Sequence, residues 1–539
     1  MNSPTISQTS DQLSAQLSQY GSNARSNHGC VISSLLVHAR LQPDVIAIIA
    51  DQTVTSYKQL AERVMSRALW LTQQHCQTLA FQLDKGLEWV ITDLAGLLAE
   101  VDIVPIPGFF SRQQIAHVLG ESQADLFLGD QPNALGETLN NDADGACGTQ
   151  WQPQVMPDTD ALITVWQRKN LQPRQRLPIK LTYTSGSTGT PRGVCLAFDT
   201  LDTVANSIVS AMQPLMVERH LCLLPLATLL ENIAGLYAPI IRGITVRVPS
   251  LQTIGLTGAS LDIEKFCVTL NNTKADSIIV VPQLLTALVT LAEFDMLQTA
   301  KLKMIAVGGG RVSEHLLTRA NTLDLPVYQG YGLSECASVL TLNLPGAYRT
   351  GSVGRALPHA ELRINELGEI EARGGNMLGY LDTGILLTGK ETATNSQQCW
   401  YATGDLGHID TDGFVFITGR FKNVFITSLG RNVNPEWVEA SLTQHPAIAQ
   451  ALITGEGKDH NLALIWTRWP QSPEELRQVV DTANAELPDY ARSHAHIVMD
   501  QPLTPDLVTP NGRLRRQHAL AQFQTVIDGH YESIKAMMI

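Results

Sequence analysis

Small hydroxylated residues and glycines crowd the run Leu181-Thr182-Tyr183-Thr184-Ser185-Gly186-Ser187-Thr188-Gly189-Thr190-Pro191-Arg192-Gly193-Val194. Side chains this small let the backbone approach an anion closely. Their hydroxyl and N–H groups donate hydrogen bonds, and Arg192 adds a positive charge. That combination is the chemistry of a polyphosphate clamp. It differs from the Walker pattern, since no Gly-Lys-Ser/Thr closes it and no long gap separates the glycines. A Ser/Thr/Gly-rich stretch taken alone is also how a solvated loop reads.

What distinguishes the two readings is the series of segments that follows. Leu224-Pro225-Leu226-Ala227, Val280-Val281-Pro282, Val307-Gly308-Gly309-Gly310 and Tyr331-Gly332-Leu333-Ser334-Glu335 come in turn. After them stand Gly351-Ser352-Val353-Gly354, Gly368-Glu369-Ile370, Thr403-Gly404-Asp405-Leu406 and Gly419-Arg420-Phe421-Lys422-Asn423. In content and order the series resembles the adenylate-forming family: acyl-CoA synthetases, luciferases and the adenylation domains of peptide synthetases. The resemblance extends from about Ile32 almost to the end of the chain.

The resemblance implies ATP chemistry on a carboxylic acid. A carboxylate attacks the α-phosphorus of ATP, and a thiol then displaces AMP from the acyl adenylate. Both approaches concentrate negative charge, so cations and hydrogen-bond donors must face the phosphate oxygens. Thr184, Ser185, Gly186, Ser187, Thr188 and Gly189 match the family's triphosphate loop, with Arg192 beside it. Glu335 matches its Mg²⁺-binding glutamate, and one carboxylate with substrate phosphates suits Mg²⁺. Ser334 stands where threonine is usual, facing the α-phosphate. By the same resemblance Tyr331 stacks on adenine. Gly308, Gly309 and Gly310 admit the base, and Gly332 belongs to the Tyr331 segment. Asp405 accepts from the ribose hydroxyls, with Arg420 nearby, and Lys422 is the hinge to a mobile C-terminal domain.

The last motif departs from the family. In Thr509-Pro510-Asn511-Gly512-Arg513-Leu514, Arg513 takes the place of a catalytic lysine. Arginine keeps the charge as a planar fork with different reach and hydration. Three consequences stay open: oxyanion binding, slow adenylation or an unusual substrate. A degenerate relative that binds nucleotide or acyl ligand without turnover is the non-enzymatic alternative.

Two segments resemble long-chain acyl-CoA synthetases. They are Leu224 to Asn232, with Thr228 in place of histidine and Asn232 in place of arginine, and Phe425 to Pro435. This likeness implies a medium or long fatty acid, with Thr228, Asn232 and Gly235 near the chain. The apolar spacing of Leu229, Leu230, Ile233 and Leu236 equally fits a packed core. The thiol acceptor is coenzyme A, or alternatively the phosphopantetheine arm of an acyl carrier protein. No carrier domain is expected after Arg516.

These residues require a scaffold that brings distant segments together. The chain has 539 residues, enough for two to four structural units. Its formal net charge of −13 argues against a general nucleic-acid binder. No apolar run is long enough to span a membrane; peripheral membrane contact stays open. The eight cysteines form no Cys-x-x-Cys pair, which fits buried thiols in a reducing, cytoplasmic setting. Cys336 reads as packing rather than a nucleophile.

Leu87, Val90, Ile91, Leu94, Leu97 and Leu98 share one helical face, and Val101 to Ile106 reads as a buried strand. Leu221 to Leu226, Ile278 to Val281 and Met304 to Val307 read as further strands, with helical patterns such as Leu284, Leu285, Leu288 and Leu291 between them. The alternation implies an α/β fold of parallel-sheet βαβ subdomains. From Ser352 short strands predict a small β unit, with a turn at Thr411-Asp412-Gly413. The expected organisation is a mobile leader over 1–30, an AMP-binding domain over 31–421 and a small mobile α+β domain over 422–539. Residues 130–160 are expected to form a surface excursion.

Overall fold

In the computed structural model, the structure describes residues 30–130, 152–154, 163–167, 179–185, 191–257, 260–298, 302–381, 399–485, 487–501, 503–504, 507–508 and 514–537. The expected leader, most of the 130–160 excursion, the centre of the phosphate loop and Arg513 lie outside them.

Among the described residues, two large sheets organise the first part of the chain. One has nine strands and the other eight. The centre of the first sheet is parallel. His220 pairs with Ser277, Ser277 with Met304, and Ile305 with Val327. Between Ser277–Val280 and Met304–Val307 runs the helix Pro282–Glu293, begun by a proline whose missing N–H costs a first-turn position nothing. This is the expected βαβ unit. The strand expected over Leu221 to Leu226 is shorter. Arg219–Leu221 is the strand, and the chain then leaves the sheet edge. An apolar run bounds such a strand poorly, because Leu223 and Leu224 are buried as loop residues.

The helices Val31–Leu41, Tyr57–Gln73, Leu87–Leu98 and Phe198–Met212 lie between the sheets, sharing one core with Ile48 and Val246 of one sheet and Leu79, Ile103 and Val194 of the other. This explains a misleading periodicity. Leu87–Leu98 buries Trp89, Thr92, Asp93 and Gly96 as well as its leucine face. A helix covered on both sides needs no solvent stripe. Helices Ile263–Thr273, Pro282–Glu293 and Glu314–Thr322 cover the outer face of the first sheet. Arg112–Glu121 covers the second, capped by a reciprocal Ser111–Gln114 box.

A four-stranded antiparallel sheet follows, built from Glu361–Ile364, Glu369–Arg373, Tyr401–Ile409 and Val415–Arg420. The turn before its last strand closes with Gly413 N–H on Asp410 O at 3.0 Å. The final part holds a three-stranded sheet, Ile448–Thr454, Asn461–Thr467 and Ser493–Val498. Helices Pro435–Leu442 and Pro473–Ala485 pack on it through Val438, Leu442, Leu476 and Val480. No helix among the described residues is long and apolar enough to cross a membrane.

Candidate active site

The phosphate-loop run folds as a hairpin. Strand Ile179–Ser185 pairs antiparallel with Pro191–Ala197, and Thr184 lies opposite Arg192. The described arms of the run are both strands, and Arg192 adds a positive charge beside them. Gly186, Ser187, Thr188 and Gly189 lie outside the described residues, as does the side chain of Ser185.

Next to the hairpin, the short strand Gly379–Tyr380 pairs with it, setting Tyr380 opposite Val194. The Arg192 guanidinium stacks on the Tyr380 ring 3.8 Å from its centroid. The Tyr380 hydroxyl donates to Glu335 Oε1 at 2.8 Å. One tyrosine therefore links the basic residue of the loop to the acidic residue of the Tyr331 segment. Glu335 is half-buried, and no described residue hydrogen-bonds its Oε2. A carboxylate with one oxygen held and one presented suits a hard divalent cation that also binds phosphate.

Strand Val327–Tyr331 delivers the segment, and a 3₁₀ turn over Ser334–Cys336 bends it back. Two residues after the turn are left-handed: Ala337 at φ 50° and Ser338 at φ 90°. Such values in consecutive non-glycine residues store strain, typical of a functional loop. Gly332 is dictated by this bend, because a Cβ there would lie 1.5 Å from the Ser338 carbonyl oxygen. Cys336 is fully buried, and burial raises its thiol pKa well above the usual range. It packs, as its sequence context suggests.

The ribose-side group comes from two strands of the small sheet, where Asp405 lies opposite Arg420. Arg420 Nε is 2.9 Å from Asp405 Oδ1, and the Tyr331 hydroxyl donates to Asp405 Oδ2 at 2.7 Å. Burial raises the Asp405 pKa although Arg420 and Tyr331 pull it down. Two oxygens offer about four acceptor positions, so both partners leave room for two more donors. Tyr331 thus anchors this carboxylate by its hydroxyl, a role not read from the sequence. Lys422 is exposed in a 3₁₀ turn over Phe421–Asn423.

An open cavity runs from the nucleotide segments into the protein. Gly308, Gly309 and Tyr331 to Ser334 line one end, and Thr228, Leu229, Leu230, Ala234, Ile279 and Met304 line the rest with others. Gly309 is left-handed at φ 73°. Gly310 follows it outside the cavity wall.

Two expected substrate residues are corrected. Asn232 and Gly235 do not line the cavity. Asn232 is buried in a network around Lys180. Lys180 Nζ donates to Asp93 Oδ1 at 2.6 Å, Asn232 Oδ1 at 2.6 Å and the Tyr237 hydroxyl at 2.9 Å. A buried ammonium with three acceptors is fully satisfied, so the network joins sheet to helices. Gly235 makes space for protein: a Cβ there would lie 2.1 Å from Glu231 Oε1. The helical spacing read from Leu229 onward is correct in kind. The segment Glu231–Tyr237 is a π-helix, and Asn232 lies two residues from both Leu230 and Ala234, which line the cavity while it does not. Tyr380, His220 and Ser277 had no sequence signal, because each acts through a partner distant in the chain.

A model of the family described as "AMP-binding enzyme" matches residues 35–381, and one of the "AMP-binding enzyme C-terminal domain" matches 422–535. A 2-succinylbenzoate–CoA ligase of Bacillus velezensis is 27% identical, covering 78% of this chain and 84% of its own. The long-chain-fatty-acid–CoA ligase FadD15 of Mycobacterium bovis is 26% identical, covering 95% and 91%. The fold also matches o-succinylbenzoate CoA synthetase from Bacillus subtilis, solved with its acyl-adenylate, with a TM-score of 0.70 at 22% identity over 90% of this chain and 97% of that one. An anthranilate CoA ligase solved with anthranoyl-AMP gives 0.72 at 17% identity, over 93% and 98%. With one family model spanning most of the chain, and the Gly308-Gly309 and Tyr331–Ser334 segments lining one cavity, this chain belongs to the AMP-binding enzyme family.

Proposed function

We propose that this protein is an AMP-forming acid–thiol ligase that activates an apolar carboxylic acid with ATP and passes the acyl group to coenzyme A. The observation that carries the reading is the continuity of the cavity. Its nucleotide end and its apolar chamber share one wall, Val307-Gly308-Gly309, so an acyl group and an adenylate fit in one space. The acid's carboxylate would meet the α-phosphorus near Ser334, which lines that end.

The chain's residues divide the work. The Thr184–Gly189 loop and Arg192 hold the triphosphate, and Ser334 donates to the α-phosphate. The Tyr331 ring faces adenine, while Asp405 and Arg420 hold the ribose. Arg513 stands at the position that reaches the carboxylate and α-phosphate during adenylation. Glu335 would hold Mg²⁺, which supplies charge neutralisation on the phosphate oxygens. Tyr380 aims the Glu335 carboxylate. Donors fixed before the reaction act without reorganisation, which is where most of the acceleration arises.

The chamber lining of Ile208, Met212, Leu229, Ala234, Ile279 and Met304 favours a medium or long aliphatic acid. An aromatic acid is the second reading, favoured by the 2-succinylbenzoate ligase relative. ATP–pyrophosphate exchange over acids from butanoic to octadecanoic, with benzoic and succinylbenzoic acids, tests both. A maximum among the aliphatic acids is expected; a maximum among the aromatic acids replaces the first reading with the second. Thioester assays with coenzyme A and with a holo carrier protein decide the acceptor. Thioester on the carrier alone would replace coenzyme A.

A further inference from the structure

Polar side chains line the cavity in two places. One is the nucleotide end and the wall next to it, with Tyr331, Ser334, Ser338 and Thr228. The other is the floor. The lining strands begin at Ser277 and Met304, and the nucleotide end lies beyond Val280 and Val307. Four residues of strand separate Ser277 from Val281, about 13 Å at the usual rise. At this far end His220 and Ser277 line a chamber whose other walls are apolar.

They belong to a three-residue relay. His220 Nδ1 is 2.9 Å from Ser277 Oγ, and His220 Nε2 is 3.1 Å from Glu231 Oε1. Glu231 Oε2 accepts the Leu224 N–H at 2.8 Å. All three side chains are buried. Glu231 as a carboxylate only accepts, which puts the imidazole hydrogen on Nε2. With that single ring hydrogen, Nδ1 is left to accept the Ser277 O–H, and the acceptor role of Ser277 rests on this state. Ser277 Oγ keeps its lone pairs, and no other described side chain bonds it. The relay converts a serine on the cavity floor into a fixed hydrogen-bond acceptor.

Two other uses of the relay fit less well. A nucleophilic serine needs converging N–H donors for the oxyanion. Ser277 sits in a strand paired on both sides, with His220 and with Met304. A metal held by His220, Cys222 and Glu231 would share its site with the Lys85 ammonium, which donates to Cys222 O at 3.0 Å.

We propose that the floor reads a hydroxyl group at the far end of the acyl chain, so that the substrate is an apolar acid hydroxylated at the end remote from its carboxyl group. This rests on the acid-activating reading above. The hydroxyl donates to Ser277 Oγ. A plain methyl end leaves that acceptor unpaired, and an oxo group sets one acceptor against another. A site built around a buried acceptor discriminates against the ligand lacking the donor.

The test compares unsubstituted, ω-hydroxy and ω-oxo acids of graded length, by pyrophosphate exchange and by calorimetric binding to the full chain. At the best length the ω-hydroxy acid is expected to exceed both others about tenfold in kcat/KM and in affinity. In Ser277→Ala, checked for folding by circular dichroism, that preference is expected to vanish. Equal binding of hydroxy and unsubstituted acids at every length overturns the proposal, and so does a preference that survives in folded Ser277→Ala. Exchange absent with every acid would overturn the ligase reading instead. The calorimetric comparison still decides the floor in that case, and a misfolded variant leaves the wild-type comparison decisive.

Discussion

Glu335 holds one oxygen against the Tyr380 hydroxyl, whose ring stacks under Arg192, and its other oxygen has no hydrogen bond from a described residue. Glu335→Ala removes a pre-aimed charge, and the expected loss in exchange kcat is about 100-fold, near 3 kcal/mol. An unchanged rate would take Glu335 out of the mechanism. His359 poses a different residue-scale problem. Both ring nitrogens are buried without a partner among the described residues, and burial lowers its pKa from 6.5 to about 4. Between those values the unfolded chain binds a proton that the native state refuses. The stability contributed by the neutral ring is complete above pH 6.5 and falls as pH drops toward about 4. At about pH 5 this linkage amounts to about 2 kcal/mol. Urea unfolding of His359→Leu at about pH 5 and about pH 7.5 should show a flatter pH dependence than wild type by that amount. Equal slopes would mean that the ring is solvated or paired.

At the scale of elements, the π-helical stretch Glu231–Tyr237 decides which residues reach the acyl chamber. It gives Ala234 to the cavity, Asn232 to the Lys180 network and Gly235 to the Glu231–His220 pair. Gly235→Ala is therefore expected to lower stability by about 1–3 kcal/mol through overpacking. The chain-length optimum of the folded protein should stay near wild type, while the clash with Glu231 and His220 disturbs the relay to Ser277. Denaturant melts with the acid panel check this; a shifted chain-length optimum without destabilisation would return Gly235 to the substrate site. The same stretch shows what was legible in advance. Local signals sufficed for Met304–Val307 and Pro282–Glu293, because an apolar run between a proline and glycines has few alternatives. Ordered motifs pointed to Glu335, Asp405 and Arg420, since each lies within a run of characteristic neighbours. Asn232 and Gly235 were placed near the chain by likeness to long-chain acyl-CoA synthetases, and a likeness of segments does not fix which partners a side chain meets in the fold. The Tyr380–Glu335 and His220–Ser277 contacts depend on strand pairing across long sequence separations, which no local pattern encodes.

For the whole molecule, one cavity must serve two chemical steps that need different groups at the same carbon. In the proposed mechanism Arg513 acts in the first, and a thiol must reach the acyl carbon in the second. Both Arg513 and the small α+β domain lie beyond the exposed turn at Lys422. Across that turn Asn434 Nδ2 donates to Thr418 O, and Asn423 Nδ2 within it donates to Glu436 Oε1 at 2.6 Å. Polar contacts of this kind exchange readily with water, so the arrangement favours a domain that reorients about Lys422 between steps. Proline at this position would fix φ and remove an N–H without touching the cavity. Lys422→Pro is expected to leave pyrophosphate exchange within about threefold of wild type while lowering thioester formation by about 100-fold, the usual effect of a misplaced reacting group. Stopped-flow release of pyrophosphate, followed by trapping of acyl-CoA, separates the two steps. Equal losses in both would place Lys422 in the scaffold of the site, and no loss in either would move the pivot elsewhere in the chain.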